Sequence, residues 1–439
     1  MAESAKKKTS LAKAVFSGSM GTMLEWFDYG LYGYFAVIIS DDFFASDDPI
    51  VGLLMSFMVF GVGFLVRPIG GILIGAYADK HGRIKALTLT ILGMGICTLL
   101  MGLLPTYHQV GIIAPILLVI LRLTQGLATG GEFGSSLTFI SEYGTPNNRA
   151  FLVSWQPFSV GCGLLVGSAA GLAITTFVPG EALYDWGWRI PFICGILIAL
   201  YGMHIRKNVP DSPEFLKMQE EKAKKTEAGQ AENVSVLDLF LRYKKSIFSV
   251  IGLLAGSGAT YYLLITYMPT YISQFMETSL SSAFVVNTTV IAIYLAPCPF
   301  MGMLVDKVGR RKCLIVACLG FLILSYPVFA ALVQQTNPGI MIALLSVLIV
   351  FQTIMAVSIA VVSSEVFPTE LRNSGIGFSY NLSAAVFGGL APLAATALIA
   401  ATGDQLAITW LIIGAVAITL ATTLFLLKGF YAHESARKK

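Results

Sequence analysis

The chain contains 439 residues, of which 56% are hydrophobic and only 12% are charged. Soluble proteins average about 25% charged residues, so this composition excludes an ordinary soluble enzyme and indicates a membrane protein. The net charge of +4 does not indicate a nucleic-acid partner, because the basic residues are placed for membrane topology. The six cysteines show no CxxC spacing and lie in or beside apolar runs, which indicates core residues, not disulfides or metal ligands.

Apolar runs separated by helix breakers predict an all-α membrane protein with twelve transmembrane helices, since about 20 apolar residues cross a bilayer. The predicted spans cover residues 15–40, 51–78, 84–104, 110–139, 151–178, 188–207, 245–272, 281–305, 312–333, 339–365, 372–401 and 405–428. The first run is not expected to be a cleaved signal peptide, because it carries Glu25 and Asp28 and lacks a cleavage site.

The positive charges predict the topology. Of the 29 lysines and arginines, 26 lie in the N-terminal tail, the even-numbered loops and the C-terminal end. The three exceptions are Arg67, Arg122 and Arg189. By the positive-inside rule, both termini are predicted to be cytoplasmic.

The longest polar stretch divides the twelve spans six and six. The predicted organisation is a cytoplasmic N-tail (1–14), an N-terminal six-helix bundle (15–207), a cytoplasmic linker (208–244), a C-terminal six-helix bundle (245–428) and a cytoplasmic tail (429–439). The last eleven residues carry no long heptad pattern.

An internal repeat supports this division. The pattern Gly75-x-x-x-Asp79-x-x-Gly82-Arg83 recurs 227 residues later, and a Glu that precedes an Arg by seven residues also recurs. The glycines permit a tight turn and close helix approach, and the acids can pair with basic groups or a helix N-terminus. The predicted cytoplasmic gate therefore comprises Asp79, Arg83, Glu142 and Arg149 in the first half and Asp306, Arg310, Glu365 and Arg372 in the second. The alternative is that these loops serve only as topology anchors.

This loop motif in both halves resembles the signature of the major facilitator superfamily. Further segments resemble its metabolite:proton symporter family: Glu25-Trp-Phe-Asp28, Arg67-Pro68-Ile-Gly-Gly, Arg122-Leu-Thr-Gln125-Gly126, Gly130-Gly131-Glu132 and Trp186-Gly-Trp188-Arg189. The resemblance runs from about residue 14 to 428. It implies a symporter of the bacterial inner membrane that imports a small molecule by alternating access, with the proton as coupling ion and no other cofactor. The lipid bilayer and the substrate are the expected partners, and we expect the monomer to be functional.

Five ionisable residues lie inside the apolar spans: Glu25, Asp28, Arg67, Arg122 and Glu132. Charges at this depth are costly unless they face a cavity or each other, which makes them functional candidates. Their sum is −1, so the uptake of one proton would neutralise the group. We therefore predict proton coupling through Glu25, Asp28 or Glu132, and the sequence does not select among them. A structural network of ion pairs is the alternative.

Arg122 and Arg67 are the predicted anchors for a substrate carboxylate, since a guanidinium forms forked hydrogen bonds with that group. Either arginine could instead pair permanently with a buried acid. Neutral polar and aromatic residues complete the predicted binding site: Trp26, Tyr29, Tyr32, Gln125, Tyr261, Tyr262, Thr266, Tyr267, Asn287, Gln352, Tyr380 and Asn381. The aromatic rings could enclose an onium head, and core packing is the alternative for each ring.

Different segments of the sequence indicate different substrates. Residues 259–273 resemble proline and glycine betaine members of the family, whereas Glu365-Val-Phe-Pro368 and residues 375–389 resemble citrate and ketoglutarate members. We predict import of a small carboxylate-bearing metabolite, with preference for a zwitterionic osmolyte such as proline or glycine betaine. A di- or tricarboxylate is the alternative, and an efflux antiporter or uniporter would share the fold.

A membrane-embedded enzyme is the alternative from another class. The histidines, which are His81, His108, His204 and His433, lie near span ends or in loops, and there is no H-E-x-x-H motif or nucleophile elbow. We therefore predict that the protein is not an enzyme.

Overall fold

The computed structural model describes residues 11–81, 83–142, 144–145, 148–178, 180–207, 242–367 and 371–427. These residues are nearly all helical and include no β-strand. The helices of the first half are α1 (Leu11–Tyr34), α2 (Ala36–Phe43), α3 (Pro49–Leu65), α4 (Arg67–His81), α5 (Arg83–Leu103), α6 (Tyr107–Val110), α7 (Ile113–Thr129), α8 (Glu132–Glu142), α9 (Arg149–Val153), α10 (Trp155–Phe177), α11 (Gly180–Ala182) and α12 (Arg189–Lys207).

The second half contains nine helices among the described residues: α13 (Lys244–Tyr261), α14 (Met268–Thr270), α15 (Leu280–Leu295), α16 (Cys298–Val308), α17 (Arg310–Leu332), α18 (Pro338–Val366), α19 (Arg372–Ser383), α20 (Ala391–Thr402) and α21 (Ala407–Ala421). Wider π-helical turns lie at Leu183–Gly187, Tyr262–Thr266, Tyr271–Phe275, Ala384–Gly389 and Thr422–Leu426.

Eight helical stretches among the described residues are long and apolar enough to cross a membrane, and two bent pairs would raise this number to ten. The bent pairs are the turn before α12 with α12 itself, and α15 with α16. Helices also occupy the predicted first and third spans, as α1 and α5. The fold is therefore helical and membrane-spanning, and the count of twelve stays a prediction.

Breaks inside the predicted spans coincide with helix-breaking residues. Gly130 and Gly131 separate α7 from α8, and Pro297 lies at the 40° bend between α15 and α16. Val66 separates α3 from α4, two residues before Pro68. Proline has no N–H to donate and glycine destabilises a helix interior, so these residues favour a break in the helix.

The second copy of the repeated loop motif has the geometry that its glycines predict. Gly309 has a φ of 99°, which favours glycine, and it separates α16 from α17. A side chain at Gly302 would place its Cβ 2.7 Å from the carbonyl oxygen of Ala150, so glycine allows α16 to approach α9 closely. The side chains of Asp79 and Arg83 and the residue Gly82 in the first copy, together with residues 208–241 of the linker, lie outside the described part of the structure.

The two halves meet along several helix pairs. In the first half α1 packs on α10, and in the second half α13 packs on α21. Contacts between the halves join α10 to α15 and α8 to α19, while α3 meets α20 and the turn Ala384–Gly389. All six cysteines are free thiols. Four of them are buried, as predicted for core residues, whereas Cys162 is partly buried and Cys194 is exposed, so the prediction is wrong for Cys194. A central cavity lies between the halves.

Candidate functional site

Four of the five predicted buried charges form two groups inside the first half. In the first group, Arg67 of α4 forms an ion pair with Glu25 of α1 at 2.7 Å, and each side chain is 1% exposed. The Arg67 guanidinium lies 4.3 Å from the ring centres of both Tyr29 and Phe64. The aromatic faces and the carboxylate together stabilise a cation that has been removed from water.

The second group contains Asp28 of α1 and Arg122 of α7. Thr98 and Arg122 are polar neighbours of the Asp28 carboxyl group. Arg122 donates from Nη1 to Gln125 Oε1 at 2.5 Å and stacks on the Tyr32 ring at 3.7 Å. Gln125 in turn donates to the Thr98 hydroxyl at 3.0 Å. The result is a closed polar layer that joins α1, α5 and α7.

Arg122 is incompletely satisfied in this layer. Its Nε and Nη2 atoms make no hydrogen bond, and no carboxylate of the described residues lies within 4.0 Å of it. Tyr29 stands between the two groups, 4.3 Å from Arg67 and 5.5 Å from Arg122, and its hydroxyl accepts from Arg67 Nε at 3.4 Å. The two arginines and two acids therefore form one continuous cluster around Tyr29.

Glu132, the fifth predicted charge, is buried in the first turn of α8. The N-terminal end of a helix carries partial positive charge, which favours an acid at this position.

A cavity of about 660 Å³ of empty space, including its open side, lies between the two halves. Four of the predicted binding residues line it: Trp26, Tyr261, Tyr262 and Tyr380. None of the described lining residues is Lys, Arg, Asp or Glu. The remaining lining residues are Phe133, Leu137, Gln156, Pro157, Val160, Leu254, Ser257, Gly258, Tyr294, Ala356, Ile359, Ala360, Ser363 and Ala384.

Several buried polar atoms at this cavity have no hydrogen-bond partner. They include Nε1 of Trp26, Nε2 of Gln156 and the hydroxyl of Tyr262. A buried donor without a partner costs about 1–3 kcal/mol, so such atoms are expected to bind a ligand or water. The cavity therefore presents neutral donors together with aromatic faces.

The other predicted binding residues lie away from this cavity. Tyr29, Tyr32, Gln125, Arg67 and Arg122 belong to the polar cluster described above. Thr266 packs on Gly33 of α1, and Tyr267 shares a hydrogen bond with Thr396.

Three predicted amides connect helices. Asn287 of α15 donates to Ser168 of α10 at 3.1 Å. Gln352 accepts from Thr260 at 2.5 Å and donates to the Ser257 carbonyl group at 3.2 Å, behind the cavity wall. Asn381 of α19 donates to the Gly130 carbonyl group at 2.6 Å, across the two halves.

Sequence reasoning missed Gln156 and Tyr294 as lining residues. Both are buried, and Gln156 is 1% exposed. The available signal was a polar amide inside the apolar run 151–178, which is the same signal that singled out the buried charges.

The predicted gate residues are only partly described. The side chains of Asp79, Arg83 and Glu142 lie outside the described part of the structure. Glu365 pairs with Arg310 at 2.9 Å and with Arg149 of the other half at 3.8 Å. The Asp306 carboxylate accepts from the backbone N–H groups of Ala150 and Phe151 at 3.1 and 3.0 Å. Arg372 begins α19. The predicted gate residues of the second half thus contact α9 of the first half.

Comparison with known proteins agrees with the predicted family. The family model described as Sugar (and other) transporter matches residues 14–432. The proline/betaine transporter of Escherichia coli (strain K12) is 34% identical over 391 residues, which are 88% of this chain and 77% of that protein. The citrate-proton symporter of Klebsiella pneumoniae is 33% identical over 428 residues, which are 97% of this chain and 94% of that protein.

A third relative is the glycine betaine/proline/ectoine/pipecolic acid transporter OusA of Dickeya dadantii (strain 3937). It is 31% identical over 430 residues, covering 98% of this chain and 84% of that protein. Among solved structures, the proton:xylose symporter XylE of the major facilitator superfamily, bound to 6-bromo-6-deoxy-D-glucose, gives a TM-score of 0.76 with 17% identity and 95% coverage of both chains. At this identity the likeness shows the fold alone.

Proposed function

The chain belongs to the Sugar (and other) transporter family within the major facilitator superfamily, and from this premise we propose that it is a proton-coupled symporter for a small zwitterionic osmolyte such as proline or glycine betaine. Its apolar helices and bacterial transporter relatives make it an integral protein of the bacterial inner membrane. Transport proceeds by alternating access, with the substrate held between the two halves.

The proposed topology has twelve spans in two six-helix bundles, residues 15–207 and 245–428. The N-tail, the linker 208–244 and the C-terminal tail are cytoplasmic. The distribution of Lys and Arg supports this orientation, and the helices found in each predicted span support the count.

The residues that line the central cavity favour a zwitterion as the substrate. The lining contains no described charged side chain, while Trp26 and Gln156 offer unpaired N–H donors and tyrosines offer aromatic faces. A carboxylate can accept from the donors, and an onium group can face the rings. A tricarboxylate would bring several negative charges to a wall without a cation, and burial of unpaired charge is costly.

A di- or tricarboxylate is the second candidate substrate, and the unpaired donors of Arg122 support it. The Nε and Nη2 atoms of this arginine lack partners, so an anionic group that reached them would be stabilised. The citrate-proton symporter relative supports this alternative.

The proposed coupling ion is the proton, bound by one of Glu25, Asp28 or Glu132, with no further cofactor. The proposed gate comprises the two clusters around Asp79 and Asp306. We further propose that the protein is a monomer, has no enzymatic activity and binds no nucleic acid.

Thermal stabilisation of the purified protein by a panel of ligands tests the substrate. The panel contains proline, glycine betaine, citrate, ketoglutarate and shikimate at equal concentration and fixed ionic strength. We expect proline or glycine betaine to raise the melting temperature most. Stabilisation by citrate or ketoglutarate alone would favour the second candidate substrate. Proton-driven uptake of the stabilising ligand into proteoliposomes then confirms the result.

A further inference from the structure

The two buried acid–arginine groups have different surroundings. The charged and polar neighbours of Asp28 are Thr98, Arg122 and Glu25, all from the first half. A small void beside Asp28 is lined by α1, α5 and α12, also from the first half. A change of charge on Asp28 therefore acts within one half.

The Glu25–Arg67 pair lies at the boundary between the halves. Tyr262 and Tyr380 of the second half lie near enough to the Arg67 guanidinium to act on it electrostatically, and neither Nη1 nor Nη2 of Arg67 has a hydrogen-bond partner. Phe64, which stacks on Arg67, meets the Tyr262 ring edge-on at 5.5 Å. Arg67 therefore lies between Glu25 and side chains of the second half.

The two tyrosines connect this pair to the substrate cavity. Tyr262 and Tyr380 both line the cavity. Tyr380 also stacks on Phe133 of α8 with ring centres 3.5 Å apart, and the adjacent Asn381 donates to the Gly130 carbonyl group. Any displacement of Tyr380 thus alters the cavity wall and the contact between α8 and α19 together.

We propose that Glu25 is the acid whose proton is coupled to substrate, and that Arg67 is a positioning residue that reports the charge of Glu25 to the cavity through Tyr262 and Tyr380. This proposal rests on the proposed symport. When a proton binds the Glu25 carboxylate, an O–H bond forms and the ion pair at 2.7 Å is lost. Among the described residues no other carboxylate lies within 4.0 Å of Arg67, so its donors turn toward the hydroxyl oxygens of the two tyrosines. Release of the proton restores the ion pair and the former position of the tyrosines.

Other titratable groups near Glu25 could also change the pH response of substrate binding. Asp28 and Tyr29 lie on the same helix, and Glu132 lies on α8, which packs on that helix. The side chains of Arg67 and Arg122 contact it from α4 and α7. From the second half, Tyr262 and Tyr380 face the pair. An effect of pH must therefore be assigned by variants.

The experiment measures substrate affinity against pH in proteoliposomes, together with concentrative uptake and substrate exchange. The probes are proline and glycine betaine, or the hit from the ligand panel. Linkage of one proton changes the affinity of the wild type by at most about tenfold per pH unit. In Glu25→Gln, which mimics the protonated acid, we expect affinity that is independent of pH between 5 and 8, retained exchange and no accumulation. In Asp28→Asn we expect slower transport with the pH response of affinity preserved.

Tyr380→Phe removes only the hydroxyl group toward which Arg67 is proposed to turn, and it should reduce the pH response at least threefold. Its matched control is Tyr326→Phe, because Tyr326 is exposed and packs on Trp410 away from the cavity. If Glu25→Gln fails to fold, Tyr380→Phe and Arg67→Lys decide the matter by the same readout. A full pH response in Glu25→Gln, or in Tyr380→Phe, overturns the proposal. Absence of any uptake by the wild type would contradict the symport itself and is a separate outcome.

Discussion

At the scale of single residues, the sequence predicts which groups are buried but not how they are distributed. Glu25, Asp28, Arg67 and Arg122 were singled out because charges in apolar spans need partners. The structure pairs Glu25 with Arg67 and places Asp28 beside Arg122, with Tyr29 between the arginines. Helical spacing alone leaves these pairings open, since Glu25 and Asp28 lie on the same face of α1.

The unpaired donors of the cavity lead to a first prediction. Gln156→Leu removes an N–H donor at nearly constant volume, and Trp26→Phe removes an N–H donor while keeping an aromatic ring of smaller size. Each should weaken substrate binding by about 1–3 kcal/mol if a charged hydrogen bond is lost. Titration of the purified variants with substrate measures the loss. Trp155→Phe is the matched control, because Trp155 packs on Phe151 and Phe158 outside the cavity lining. The methyl ester of the substrate lacks the carboxylate charge. If each variant loses as much affinity for the ester as for the substrate, these donors do not recognise a carboxylate.

Asp42, beyond the predicted end of the first span, gives a prediction about pH. Burial raises the pKa of its carboxyl group to about 6, although the hydrogen bond from Trp188 Nε1 at 2.9 Å and the nearby Arg189 act in the opposite direction. The folded state therefore binds the proton more tightly than the unfolded state. The resulting contribution to stability is present near pH 4 and is lost as pH rises to about 6. Melting temperatures of the wild type and Asp42→Asn between pH 4 and 7 test this, and the variant should show a smaller decline. An identical decline in both proteins would assign it to another group.

At the scale of helices, the positions of the elements follow from hydrophobic runs, and most internal breaks follow from glycine and proline. The break at Gly130 and Gly131 has a consequence that no periodicity predicts. It leaves the Gly130 carbonyl group available to Asn381 of the opposite half. Asn381 is predicted to bind substrate because it is a polar residue in an apolar span. Its hydrogen bond to Gly130 instead depends on how two helices that are distant in sequence pack together.

The packing of α8 on α19 gives a prediction with an internal control. A Cβ at Gly134 would lie 3.1 Å from Gly377 Cα, whereas a Cβ at Gly377 meets nothing within 4 Å. Gly134→Ala should therefore separate the two helices and favour the state open to the cytoplasm, and Gly377→Ala should leave the equilibrium unchanged. The labelling rate of a single cysteine introduced at Leu137, which lines the cavity, measures the population. Equal labelling rates in the two variants would show that this contact does not control opening.

At the scale of the whole molecule, contacts join the halves on both sides of the cavity. Toward the proposed outer side, Phe57 and Tyr267 meet with ring centres 5.3 Å apart. Toward the proposed cytoplasmic side, Arg149 approaches Glu365 and Asp306 caps the backbone of α9. Internal duplication and charge patterning predicted two halves and their gate, but the location of the cavity depends on pairings over hundreds of residues, which a single sequence does not contain.

The charge balance of the whole cycle yields the last prediction. The five buried charges sum to −1, so one proton neutralises them, and a zwitterion adds no net charge. Each cycle then carries one positive charge inward. An inside-negative potential of about 100 mV contributes about 2.3 kcal/mol per charge, or roughly 50-fold accumulation, since about 1.4 kcal/mol is a factor of ten.

Proteoliposomes with a potassium gradient and valinomycin, at equal pH on both sides, measure this effect. Proline or glycine betaine should accumulate when the interior is negative and should leave when the gradient is reversed. Liposomes without protein report passive entry. A substrate that carries three negative charges with one proton would move a net charge of −2, so the same potential would oppose its uptake. Accumulation that responds to a pH gradient but not to this potential would therefore contradict the transport of a neutral substrate together with one proton.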